Sequence, residues 1–134
     1  KEGKVIESYL THIDKEINKF KSNNNLKEFC LSLKKYNNIL KELTSWIHDN
    51  LKTNQDTVNA AATEYLNIFA LVSIGMMWLK MADVAYRKIE ENKDFYKSKI
   101  DCASIFFTRI LTRIDAYSNV KSSSDTIMNY NFKN

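Results

Sequence analysis

The sequence predicts an all-α protein, an antiparallel bundle of four main helices with a long central third helix. The 134 residues include two glycines and no proline. The tight turns and bulges of a many-stranded fold therefore lack the residues that reach their backbone angles. Apolar residues recur in steps of three and four over most of the chain, the period of a helix face. Hydrophobic residues make up 44% and charged residues 27%, the balance of a folded globular chain. The length suits one helical domain, residues 1–134.

The first helix is expected from about Lys4 to Lys21, with Ile6, Tyr9, Leu10, Ile13, Ile17 and Phe20 on one face. Ser22 to Asn25 is a polar break, and Asn24 or Asn25 suits a cap for the next helix. The second helix follows from about Leu26 to Lys52, carrying an apolar stripe that includes Leu33, Tyr36, Leu40, Leu43 and Ile47. Asn54 to Thr57 offers a turn and another cap.

The third helix, from about Thr57 to Glu91, is roughly 50 Å long at 1.5 Å per residue. Its apolar residues surround the axis, so it is expected to be the most buried. From Tyr65 to Leu79 only Asn67 and Ser73 are clearly polar. That stretch is shorter than the ~20 residues of a membrane span and is bracketed by Glu64 and Lys80, so no span is assigned. The cluster Met76-Met77-Trp78 with Met81 is read as core, the competing reading being an adaptable contact surface. Trp78 is expected to be buried, with Gly75 giving room for a facing backbone or ring. The fourth helix is expected from Asp94, as cap, to Tyr117. Residues 118–134 form a tail, polar and serine-rich from Ser118 to Asp125, in which Ile127, Met128, Tyr130 and Phe132 either dock as a short terminal segment or fray.

The net charge of +4 is spread evenly, with 10 Lys/Arg against 8 Asp/Glu in each of residues 1–56 and 57–134. No basic stripe marks a nucleic-acid surface. Cys30 and Cys102 lack C-x-x-C spacing and fit reduced, buried thiols in a cytoplasmic protein. The start, Lys-Glu-Gly-Lys, has no initiator Met and no apolar signal segment, so a piece cut from a longer protein is expected.

There is no G-x-G-x-x-G, P-loop, H-E-x-x-H or G-x-S-x-G. His12 and Glu16 share a helix face four residues apart, half of a metal site at best, and His48 beside Asp49 lacks ligand spacing. No catalytic, cofactor-binding or metal-ligating residue is assigned.

Tyr65-Leu66, Phe69, Gly75, Met77-Trp78-Leu79-Lys80-Met81-Ala82 and Ala85 form a distinctive string. Phe95-Tyr96, Lys99 and Ala103-x-x-Phe106-Phe107-x-x-x-Leu111 follow it at a fixed distance, and Gly3 ahead of the first helix is a weaker match. Over about residues 58–111 this pattern resembles the C-terminal domain of the acyl-CoA dehydrogenase family, in its extended, bacterial-type flavoenzymes. Thr112, where a proline is expected, and the tail from Ser118 depart from the pattern.

The resemblance implies a parent that oxidises acyl-CoA to enoyl-CoA, a glutamate removing the α-proton and FAD accepting the β-hydride. Flavin, substrate and base would lie in upstream domains, with no cofactor in this fragment. It also implies a homo-oligomeric parent, onto whose core this segment packs or whose subunit contacts it supports. The alternative is a stand-alone helical interaction module with no redox parent.

Overall fold

A computed structural model describes residues 2–117 and 119–130, and among these all the regular structure is helical. α1 spans Glu2–Phe20, α2 Lys27–Asn50 and α3 Gln55–Lys88. A 3-10 turn, Ile89–Glu91, leads into α4, Lys93–Ile105. The helical path then continues as a π turn, Phe106–Ile110, and a 3-10 segment, Leu111–Tyr117, before α5, Val120–Met128.

The stripes of α1 and α2 face each other as their spacing dictates. Leu10, Ile13 and Ile17 of α1 and Leu33, Tyr36, Leu40 and Leu43 of α2 are all buried in one core. Polar contacts fix the antiparallel register: the Asn37 side chain donates to the Leu10 carbonyl at 3.2 Å and to Asp14 at 2.8 Å, and Lys41 pairs with Asp14. Asn37 is fully buried, and its amide oxygen has no partner among the described residues.

α3 packs on α1, α2, α4 and α5, which makes it the central helix. It runs antiparallel to α2, with the Thr44 and Tyr65 hydroxyls 3.0 Å apart at one end and Gly75 against Leu33 toward the other. It runs parallel to α1, since Tyr9 stacks on Phe69 and donates to Ser73 while Lys80 reaches Glu16. A Cβ added at Gly75 would lie 2.8 Å from a Leu33 methyl and 3.4 Å from the Phe106 ring. The glycine is thus required by close approach of a side chain and a ring.

By length and composition α3 is apolar enough to cross a membrane, but its packing against four other helices is that of a core element. Its central place is as expected, yet one whole side of it carries exposed apolar residues.

Two caps differ from expectation. α2 begins after Leu26 with no side-chain cap, and the Asn23 side chain instead accepts from the Asn25 amide at 3.0 Å within the turn. α4 is capped by Asn92, which accepts from the Phe95 amide at 3.2 Å; Asp94 lies inside the first turn, where its charge suits the helix dipole.

The π turn widens the helix at adjacent aromatics, and both Phe106 and Phe107 are buried. Phe107 stacks on Phe29 with centroids 4.5 Å apart. The tail docks by different residues from those expected. Val120 and Ser124 of α5 are buried, and Thr57 lies 2.9 Å from Asp125. Ile127, Met128 and Tyr130 are exposed, and Phe132 lies outside the described residues. Cys30 is buried and its thiol is pushed up by burial, whereas Cys102 is exposed, contrary to the expectation of two buried thiols.

Candidate functional site

The side of α3 turned away from α2 is an apolar face open to water. Leu66, Ala70, Ile74, Met77, Met81 and Val84 follow one another in three- and four-residue steps, and all are exposed. They form one continuous stripe. Other large apolar residues reach solvent singly at Val5, Leu31, Leu51 and Ile105, and in a short group at Ile127, Met128 and Tyr130. On α3 they are contiguous, the pattern that marks an interaction surface.

The stripe deepens into a groove where α4 comes alongside. Met77, Met81, Val84 and Ala85 of α3 and Phe95 and Tyr96 of α4 line a space of about 300 Å³. Phe95 is half exposed, meets Tyr96 edge-on at 5.1 Å, and has the Lys99 ammonium over its ring at 5.1 Å. Lys80 borders the groove through its aliphatic stem, while its ammonium turns back to Glu16 on α1 at 3.5 Å.

Glu16 is buried and also accepts from Lys19 at 2.7 Å. The Lys19 hydrogen bond, helped by Lys80, holds its carboxyl below the usual carboxylate range against the opposing effect of burial. This cluster pins the α1 edge of the apolar face.

The methionine–tryptophan cluster is divided by the helix. Met76 is buried and belongs to the core, whereas Met77 and Met81 are exposed and belong to the face. Trp78 lies between, partly buried, with its ring 6.5 Å from Phe106. The reading of the whole cluster as core is therefore corrected, and so is that of Trp78 as a fully buried anchor. Spacing alone could not single out this face, because α3 is apolar in every direction.

The polar candidates do not converge on chemistry. His12 is 3.8 Å from Glu16, and His48 is 3.8 Å from Asp49 on the exposed surface. No group of three or more His, Cys, Asp or Glu side chains suited to a metal occurs among the described residues. A groove of about 390 Å³ between α1 and α2 is lined by Glu7, Lys41, Thr44, Ser45 and His48 among others, with no hydrogen bond joining Ser45 to His48 among the described residues.

The groove beside α4 does not suit the phosphates of a flavin dinucleotide. It is apolar, and no residue with positive φ, of the kind glycine-rich phosphate cradles use, is found among the described residues. The arrangement is suited to holding another apolar surface.

A family model described as acetyl-CoA dehydrogenase C-terminal like matches residues 11–131. The match extends well beyond residues 58–111 on both sides and takes in α5. No curated protein and no solved structure matches the chain.

Proposed function

The chain belongs to the acetyl-CoA dehydrogenase C-terminal-like family, and on that premise we propose that it is the noncatalytic helical domain of an FAD-dependent acyl-CoA dehydrogenase. In this reading the parent oxidises acyl-CoA to enoyl-CoA in the cytoplasm, with flavin and substrate held by upstream domains. The helical domain packs on that catalytic core or supports contacts between subunits. The single observation that supports it is the family match over residues 11–131; the open apolar face of α3 supplies a surface for such packing.

The test has two arms. The isolated chain, purified and mixed with FAD and an acyl-CoA, is expected to retain no yellow cofactor and to reduce no electron-acceptor dye. The reading frame extended upstream of Lys1 is expected to encode a protein that does both. A frame that starts at Lys1, or dehydrogenase activity in the isolated chain, would overturn the proposal.

A further inference from the structure

The exposed stripe on α3 is longer than its apolar middle. Asp56, Asn59 and Thr63 continue it toward the helix start and Lys88 toward its end, each exposed and each three or four residues from the next member. One end of the face is therefore acidic and the other basic. Neither Asp56 nor Lys88 makes an ion pair among the described residues. That polarity suits the helix dipole, and it would be used a second time if the face met itself in the opposite direction.

Setting Asp56 opposite Lys88 of a second copy fixes the register, because a two-fold axis must then cross α3 at the level of Val72. Two further matches follow without adjustment. Ala70 comes opposite the partner's Ile74, a small side chain against a large one, on both sides of the axis. Leu66, with 65% of its surface exposed, the most of any large apolar residue on α3, comes level with Trp78 of the second copy. Trp78 is itself partly buried there, with its ring near Phe106. A projecting leucine thus meets a partly open aromatic side chain, twice per pair.

The area agrees. Leu66, Ile74, Met77, Met81, Val84 and Phe95 are between 38% and 65% exposed. At ~200 Å² for a fully exposed large side chain they offer about 600 Å² per copy. The polar ends of the stripe bring this toward the ~800 Å² per partner of a stable interface.

We infer that the α3 face is a homodimer interface, in which two copies of this chain pair α3 against α3, antiparallel, with Asp56 of each against Lys88 of the other. The inference rests on reading this face as the domain's attachment surface and names a second copy as its occupant.

Sedimentation velocity of the full 134-residue chain over a concentration series tests it, with circular dichroism to confirm that each variant is folded. The wild type is expected to dimerise. Ala70→Glu, which places two carboxylates beside the axis, is expected to leave only monomer. Asp56→Lys and Lys88→Asp should each weaken association by about tenfold. An equimolar mixture of the two should recover the wild-type dimer, because the mixed pair restores both ion pairs.

A wild type that stays monomeric to about 100 μM, far above the Kd of a specific interface, would overturn the inference and leave the face to the upstream domains. The proposed function would stand, since the flavin and reading-frame tests do not depend on it. Dimerisation without recovery in the mixture would overturn the antiparallel register. Transfer of the chain to phosphatidylcholine vesicles at the expense of the dimer would assign the face to lipid and overturn it likewise.

Discussion

Leu79 and Met77 stand two residues apart on α3, the first with no exposed surface and the second with half of its surface in water. Around Leu79 lie Val72, Gly75, Met76 and Ala82, pressed against α2 and the end of the α4 segment; around Met77 lie Ile74, Met81 and Val84, facing solvent. The two sides are equally apolar. A helix that is hydrophobic all round is buried all round only if enough partners surround it, and here the bundle covers one side and part of the flanks. The low amphipathicity of α3 thus records two packing demands, one met within the chain and one outside it.

The most severe way to break this comparison is to truncate both residues to Ala. Leu79→Ala opens a cavity in a core with no solvent to fill it and is expected to cost about 3 kcal/mol. Met77→Ala removes contacts with water and is expected to stay within about 0.5 kcal/mol in the monomer. Urea unfolding of the two variants at low protein concentration checks this. Equal losses would mean that the face at Met77 is covered in the monomer after all.

Trp78, at the border of the two sides, sharpens the contrast. It keeps ring contact with Phe106 but is only partly buried, so Trp78→Ala is expected to lose about 2 kcal/mol, less than Leu79→Ala. A loss below about 1 kcal/mol in the same urea experiment would place Trp78 with the exposed face.

What could be read in advance follows from where periodicity carries information. In α1 and α2 apolar and polar residues alternate with the helix period, so spacing alone identified the buried side of each, from Leu10 to Ile17 and from Leu33 to Leu43. The close approach at Gly75 was legible because a glycine within a helix costs stability unless a neighbour needs the space. In α3 every direction is apolar, so the period could not tell the side facing Leu33 from the side facing water.

Other features depend on tertiary placement and leave little local trace. Ser124 and Val120, and not the larger Ile127 and Met128, bury α5 on α3, because a short helix lying close to its neighbour favours small residues at the contact. The exposure of Cys102 depends on which side of α4 meets α3. Asn92 and Asp94 are both good caps by type, and only the backbone path selects Asn92. The docking face, too, required coordinates.

The smallest expected effect concerns the edge of the face, where Glu16 holds Lys80 back from the apolar stripe. Glu16→Gln keeps the size of the side chain and removes the charge that Lys19 and Lys80 share, at an expected cost of about 1 kcal/mol near neutral pH, both lysines being partly solvated. The pH dependence has a definite sign. The carboxyl is held below its ordinary value of 4.5 in the folded protein, so its contribution is fully present above that value and is lost as pH falls through the lowered one. Wild type and variant should therefore differ most near pH 7 and converge only in acid, as pH falls below 4.5 and on through the lowered value. Urea midpoints at a series of pH values measure this directly. A gap that persisted unchanged into acid would show that the substitution disturbs packing and not charge, and the Glu16–Lys80 contact would lose its role as the border between the two sides of α3.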